Sequence, residues 1–507
     1  MNKDSTMEKI YDVAVVGMGP VGAVLTALLG KYELDVINIE KDREVFPLPR
    51  AAHIDHTGLR TIQETGCLDE ILAEVIRNTR LDLLNADLEL LRRIPADQRS
   101  VSGLPTSVYF YQPEFDRTLR KTAASFPSVT ARTGVCMTAI EQHADQGLVK
   151  LEVVNEAGAH ETITARWVVG CDGARSPTRE LSGITLSSLD FDEQWLVIDL
   201  KVDAQKHRLP ADHVIEVCDP KRPYLTTPIA KDRQRFEFML LEGEDHATML
   251  KHETIAGLLA RWIPEEAYTI DRAAVYTFHG IIADEWRKER VLIAGDAAHQ
   301  TPPFLGQGMC TGIRDAANLA WKLHRVVRGL CGDAILDTYQ SERAPHAAKV
   351  IKAAIRIGKV ICELDPERAA ERDRLLLAND KGSQDNLLFS LPPLEEGPLV
   401  RKGGGNLFVQ PRLHERYLDD IVGSRFLIVA KSEAAVGHSA QWWQTEMDAH
   451  VAMASELDSP ELERWFKQNP CQVVVVRPDR YVLGTSDLLD TITEEVGNVL
   501  ACKAVTA

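Results

Sequence analysis

The sequence predicts an α/β protein in which a parallel sheet, opened by a glycine-rich βα turn, is interrupted by a largely antiparallel sheet and followed by a small separate β/α unit. Three observations predict it. A β-branched run, Ile10 to Val16, leads directly into Gly17-Met-Gly19-Pro20-Val21-Gly22. Residues from about 189 to 280 alternate apolar and polar side chains, the period of a sheet with two unlike faces. Beyond the punctuation of Leu391-Pro-Pro and Lys402-Gly-Gly-Gly405, two more apolar runs, Phe426 to Ala430 and Cys471 to Val476, suit buried strands.

The elements follow in order. Ile10 to Val16 reads as a buried parallel strand, residues 23 to 32 as an apolar helix, and residues 34 to 39 as the second strand, closed by Glu40 and Lys41. Residues 50 to 76 look helical with Gly66 as a break, and Glu114 to Ser125 is a helix entered through Pro113. Residues 149 to 154, 161 to 164 and 167 to 169 are strand-like pieces. A long helical region spans about 337 to 377, and residues 440 to 454 read as helical between the two late strands. The expected units are 1–188 with a substrate-side segment near 77–108, an inserted sheet over 189–280, a return to the first unit with long helices over 281–395, and a tail over 406–507.

Composition narrows the function. The chain has 507 residues, 45% apolar and 26% charged, as in an ordinary globular protein with a sizeable core. A net charge of −17 argues against nucleic acid or an anionic membrane surface as a partner, though one pocket arginine can still hold an anionic substrate. Nine cysteines are scattered with no C-x-x-C pair, so no metal site is expected and reduced thiols in a cytoplasmic protein fit best. The polar start, Met1 to Lys9, carries no signal-peptide pattern, and no apolar run approaches the roughly 20 residues of a membrane span.

Three motifs carry the chemistry. In Gly17-x-Gly19-x-x-Gly22 the first glycine permits the tight turn, the second lets backbone approach a pyrophosphate, and the third lets helix pack on strand. Glu40, 18 residues after Gly22, is placed to accept from ribose hydroxyls and argues against a 2′-phosphate there. This is a Rossmann-like unit. The second motif is Cys171-Asp172-Gly173-Ala-Arg-Ser176-Pro-Thr-Arg179, where Asp172 serves either a polar ligand or the turn itself, and Arg179 shares that ambiguity. The third is Gly295-Asp296-Ala-Ala-His299-Gln-Thr-Pro302-Pro303-Phe-Leu-Gly306-Gln307-Gly308-Met309-Cys310, a strand end, a proline turn and a glycine-rich entry to a long helix. It aims backbone N–H groups and a positive helix end at an anionic or carbonyl-rich ligand, with Asp296 set to accept from a sugar or ribityl chain. Beside a dinucleotide loop, the economical ligand is FAD.

Together these pieces resemble the single-component FAD-dependent aromatic hydroxylases, the para-hydroxybenzoate hydroxylase-like group. The resemblance covers about residues 10 to 345. Within the group the chain is most similar to the 3-(3-hydroxyphenyl)propionate hydroxylase branch, through Val217-Cys-Asp-Pro-Lys-Arg-Pro223, Phe236-Glu-Phe-Met-Leu-Leu-Glu-Gly243 and Arg314 to Leu323. It implies FAD contacts from Gly17, Gly19, Pro20, Val21, Gly22, Glu40, Lys41, Arg50, Gln112, Asp172, Asp296 and Pro303. It also places the backbone of Gly306, Gln307, Gly308, Met309 and Cys310 against the flavin's pyrimidine edge. Many relatives carry Asn at the position of Cys310. The tail looks like the thioredoxin-fold tail of the larger phenol-type hydroxylases without a C-x-x-C, for which a scaffolding or homodimer role is expected.

The implied reaction is hydroxylation of a phenolic ring, such as that of a 3-hydroxyphenylpropionate-like acid, with NAD(P)H as transient co-substrate and O2 through a flavin C4a-hydroperoxide. No second dinucleotide loop is present for the nicotinamide. Candidate catalytic groups are His299, because an imidazole titrates near neutrality, Pro302 and Pro303 as wall and carbonyl acceptor, and Tyr224 in a proton relay with Tyr109 and Tyr111 as alternatives. Arg222, Arg233 and Arg235 compete as partners for a substrate carboxylate. Three rival readings stand beside this one: a polyketide or antibiotic-type hydroxylase with a polycyclic substrate, a non-catalytic flavin-binding protein, and a flavin-dependent halogenase. The last lacks its expected Trp-x-Trp-x-Ile-Pro stretch here.

Overall fold

Ile10–Val16 is buried from Val13 onward because it lies between two parallel neighbours, His160–Gly170 and Val36–Glu40. In the computed structural model, which describes residues 9–203, 206–207, 209–378 and 391–501, Val129–Thr133 extends this sheet beyond Val36–Glu40. Val291–Ile293 extends it beyond His160–Gly170. The polar start up to residue 8 and the last six residues of the expected tail lie outside the described residues. The two strand pieces expected over 161 to 169 are one strand, His160–Gly170. Its first half pairs with Leu148–Asn155 in a hairpin and its second half with the core.

The helix Pro20–Lys31 starts three residues earlier than the apolar pattern suggested, since proline suits the first turn. It packs against the long helix Gly308–Val327. Residues 50 to 76 are not continuously helical. His53–Asp55 is a strand, Asp55 then caps the helix His56–Thr65 by accepting from Thr57 N and Gly58 N, and Gly66 ends it in the left-handed region. The capping carboxylate decides where the helix begins.

A second sheet runs His299–Gln300, Tyr268–Ala283, Leu186–Val202, Arg233–Met239, Tyr224–Ala230, Val214–Val217, Arg80–Leu84, Leu90–Pro95 among the described residues. All its pairings are antiparallel except that of Val214–Val217 with Arg80–Leu84. One face buries Leu196, Ile198, Tyr224, Phe236 and Phe238 against Ile255 and Leu259 of the helix His252–Leu259. The other face turns toward the loops of the parallel sheet.

The long helical region divides into Asp337–Ile361 and Pro366–Ala378. The tail holds a four-stranded sheet ordered His450–Met453, Leu427–Ala430, Val473–Val476, Val482–Ser486, flanked by Leu489–Leu500 in a thioredoxin-like layout. The helix expected over 440 to 454 stops at Glu446. His450–Met453 is instead a strand, parallel to Leu427–Ala430, so sheet pairing overrides the local helical pattern.

Buried charge joins tail to core. Arg60 Nε and Nη2 donate to the two Asp419 oxygens at 2.6 and 2.9 Å. Glu342 Oε2 accepts from Lys322 Nζ at 3.0 Å and Asn318 Nδ2 at 2.7 Å, and pairs with Arg477 Nη2 at 2.9 Å. Glu342→Ala would leave the buried Lys322 without its carboxylate while Arg477 keeps Asp479, so a loss of about 3 kcal/mol is expected by urea titration. The carboxyl adds an acid signature. Burial alone would raise it, but Arg477 and Lys322 outweigh that and bring it from 4.5 down to about 2. This pairing therefore supports folding above the ordinary glutamate range and loses its contribution as pH falls toward 2.

Candidate active site

One cavity of about 1070 Å³ lies between the glycine turns of the parallel sheet and the open face of the antiparallel one. That exceeds the usual range for a single small ligand. Its first half is built by Gly19, Pro20, Val21, Lys41, Arg50, Gln112, Asp172, Asp296 and the segment from Pro303 to Met309.

The three glycines divide their work. Gly17 sits at φ +100°, and a Cβ there would come within 2.5 Å of the Cys171 carbonyl oxygen. A Cβ on Gly22 would meet Gly17 O at 2.1 Å. Neither residue bounds the cavity; both let the chain pass closely. Gly19 does bound it, and a Cβ there would meet nothing within 4 Å. The helices that begin at Pro20 and Gly308 have no side-chain cap, so the first-turn N–H groups are left for a ligand at two sides of one space. A long anion-bearing cofactor with a carbonyl-rich ring fits this donor set, and FAD is such a group.

Glu40 stands behind the turn rather than on the cavity wall, where its carboxylate accepts from Met18 N at 2.6 Å and Asp42 N at 3.0 Å. Gln112 fixes the Arg50 segment by accepting from Arg50 N at 2.6 Å and Ala51 N at 2.7 Å. Asp172 resolves toward the turn: its oxygens accept from Ser176 Oγ, from Thr178 N at 2.8 Å and from Thr178 Oγ1 at 2.7 Å. Arg179 donates to the Ala174 and Ala297 carbonyls and so ties the second motif to the third. Asp296 opens into the cavity. Burial raises its carboxyl above the usual range, while His299 and Arg50 pull the other way.

Several expected groups stand elsewhere. His299 does not reach the cavity: it is buried, stacked on Trp286, with Nε2 2.7 Å from Asp315 Oδ2. Arg343 Nε holds the other Asp315 oxygen at 2.9 Å, so this is a structural ion cluster beneath the turn. Tyr224 lies on the wrong face of its strand, stacked on Phe238 and accepting from Trp262 Nε1 at 3.1 Å. Strand parity explains this, since Leu225 and Thr227 take the cavity side. Tyr111 lies under the Arg233 guanidinium away from the cavity. Pro302 is buried and does not bound the cavity, whereas Pro303 and Phe304 do. The Cys310 side chain is buried below the helix entry, accepting from Asp55 N, and the residue does not bound the cavity. Gln307 likewise spends its side chain on Asp55 and Arg314.

The second half of the cavity has a floor made of two rows. Cross-strand register places Leu83, Glu216, Leu225, Glu237 and Val197 side by side, and all five bound the cavity. The adjacent row carries Thr227, Arg235, Asp199 and Arg272. Arg235 is committed: its fork holds Asp199 at 2.7 and 3.1 Å and donates to Pro49 O at 2.7 Å and Arg50 O at 2.8 Å. Arg222 pairs with Glu244, and Arg233 with Asp232 and Asp271, both off the cavity. Of the three expected tyrosines Tyr109 alone bounds the cavity, with its enclosed hydroxyl unsatisfied.

Sequence reasoning missed His53. It bounds the cavity, and Nδ1 lies 3.2 Å from Gly306 O. A carbonyl only accepts, so Nδ1 carries the proton and Nε2 of the neutral ring is an acceptor. Burial lowers the imidazole's pKa, against the pull of Asp55, and keeps the ring neutral near pH 7.

Comparison with known proteins agrees with this architecture. Residues 10–354 match the family described as FAD binding domain, and residues 405–496 match the HcaD C-terminal domain. A protein of Rhodococcus jostii (strain RHA1) named probable NADH-specific resorcinol 4-hydroxylase is 34% identical over 493 residues, covering 94% of this chain and 92% of that one. The 3-(3-hydroxy-phenyl)propionate/3-hydroxycinnamic acid hydroxylase of Mycolicibacterium smegmatis (strain ATCC 700084 / mc(2)155) is 35% identical over 515 residues, covering 93% and 90%. Among solved structures, aklavinone-11 hydroxylase in complex with FAD and aklavinone superposes with a TM-score of 0.80 at 23% identity, covering 97% of this chain and 100% of that one, and speaks for the fold. The glycine turns, the cavity they open on and the matched span agree: this chain belongs to the FAD binding domain family, in the company of single-component aromatic hydroxylases.

Proposed function

We propose that this protein is an FAD-dependent monooxygenase that hydroxylates a phenolic ring, using a nicotinamide coenzyme and O2. The observation that carries the reading is one cavity whose one half offers helix N-termini and Asp296 while the other half is a sheet floor that sets apolar side chains beside a few buried polar ones. Full-length relatives named as phenolic hydroxylases support it. When bound, FAD supplies the activation of O2 and the transfer of one oxygen atom to the ring.

The protein's own residues do the rest. The unsatisfied first turns at Gly19 and Gln307 bind phosphate and carbonyl oxygens, and Asp296 accepts from the ribityl hydroxyls. Leu81, Leu83, Val197, Val214, Leu225 and Phe304 exclude water and hold the ring flat against the opening between the two halves. His53 Nε2 takes the phenol proton, which drives electron density toward the ortho and para carbons of the ring. Tyr109 stands beside it, with ring centroids 6.2 Å apart, and supplies a hydroxyl to the same relay. The buried ion pairs of Arg60 and Glu342 make the tail a scaffold in this reading. No helix among the described residues is long and apolar enough to cross a membrane, and we place the protein in the cytoplasm.

Purified protein is expected to be yellow, to consume NADH slowly alone and at least tenfold faster with a phenol, and to form one hydroxylated product per NADH. A colourless protein that FAD cannot reconstitute would sink this reading.

A further inference from the structure

The floor of the cavity carries two carboxyl groups, one with no cation partner and the other with one oxygen left without a hydrogen bond. Glu216 and Glu237 project from the same face of the sheet with Leu225 between them. Two strand spacings separate their backbones by about 10 Å, a gap that one ring with a polar group toward each end can bridge. Both are buried, and Glu237 Oε2 has no hydrogen-bond partner. Glu216 has Glu237 as its charged neighbour, and no cation is paired with it. The nearest cation to Glu237, Arg235, keeps 3.7 Å away with its fork already committed to Asp199 and two carbonyls. Arg272, the other cation on this floor, is held over the Tyr276 ring and against Pro49 O and Asp199.

Buried acids so placed resist ionisation. Desolvation, followed by mutual repulsion with Glu237, pushes Glu216 up to about 8, and burial raises Glu237 as well. At neutral pH Glu216 therefore offers a hydroxyl donor and a carbonyl acceptor to whatever lies on the floor, and the unpartnered Glu237 Oε2 stands two strands away. A carboxylate brought here would meet no uncommitted cation near the acids and would keep its desolvation cost.

Resting on the hydroxylase reading above, we propose that Glu216 and Glu237 select an uncharged aromatic with two polar ring substituents, a dihydroxybenzene in the simplest case, and reject arylalkanoates. The selection is by loss as much as by gain: the neutral diol satisfies both acids, whereas an acid side chain is left unpaired.

The test compares resorcinol with 3-(3-hydroxyphenyl)propionate on the FAD-loaded enzyme. Readouts are kcat/KM for product-coupled NADH consumption and Kd from the change in flavin absorbance. We expect resorcinol to be favoured at least 100-fold in kcat/KM, with most of the difference in Kd. Glu216→Leu should raise the KM for resorcinol at least tenfold, and Glu216→Gln, a neutral donor and acceptor, should recover most of it. Equal or better handling of the propionate overturns the proposal and leaves the hydroxylase reading intact, most plainly if Arg272→Gln then abolishes that activity. If neither compound perturbs the flavin spectrum or speeds NADH consumption, both readings fall.

Discussion

Gly19→Leu is expected to give a folded but colourless protein, while Gly22→Leu gives no folded protein at all. Both glycines belong to one motif, and the structure assigns them opposite failures. Gly19 has φ −68° and ψ −178°, an extended conformation open to any residue, and a Cβ there meets nothing within 4 Å. A leucine is therefore accommodated by the fold and occupies the space where a pyrophosphate would approach. At least a 100-fold loss of FAD affinity is expected, which is about 2.7 kcal/mol, with the apoprotein's circular dichroism and melting temperature unchanged. At Gly22 the added carbon would stand 2.1 Å from a backbone oxygen, which no side-chain rotation relieves. Soluble yield and fluorescence-detected FAD binding separate the two results. Retention of flavin by Gly19→Leu would show that the cofactor does not pass over this turn.

The second large effect is expected at His53. Loss of a positioned base costs about 10²–10⁴ in rate, so His53→Ala should lower kcat by at least two orders of magnitude while FAD content and coenzyme reduction of the flavin stay near wild type. The sign of its pH dependence follows from burial. A base must be neutral to accept, and burial lowers this imidazole below its usual value, so phenol hydroxylation should fall in acid with a limb that lies below the ordinary imidazole range. In His53→Ala that acid limb should be missing. A purely structural histidine would lower stability and leave the limb in place. Rapid-mixing measurement of the oxygen-transfer step distinguishes these outcomes.

The cofactor half of the site was readable from the chain because each device in it is local. A turn glycine, the helix it opens and the acid at the next strand end fall within short stretches, so motif spacing together with the family resemblance singled out Gly19, Asp296 and the Gly306 to Met309 segment, all of which bound the cavity. The aromatic-hydroxylase resemblance and the α/β fold class hold for the same reason. The substrate half was opaque. Phe236-Glu237-Phe238 reads as a strand with its glutamate in water, and nothing in those residues announces that the second face is enclosed as well. That enclosure arises from segments hundreds of positions apart. Tyr224 failed by one residue of strand parity. His299 was chosen for its chemistry, yet the partner that claims it, Asp315, sits inside a helix whose position no local pattern reveals. His53 was lost when its short strand was absorbed into a longer helical reading, which Asp55 interrupts by capping.

The long pair Leu186–Val202 and Tyr268–Ala283 has a consequence for how this enzyme is tuned. Paired from Leu186 with Ala283 to Val202 with Tyr268 through two register shifts, the two strands form a ribbon about 50 Å in contour, joined at one end to the segment before the proline wall through Ile281 and Ile282. The depth of the chamber is thus built into the backbone and needs no moving lid to define it. Evolution, or an engineer, can resize the accepted ring by exchanging floor side chains such as Leu225 or Val197 and leave the reacting distance untouched.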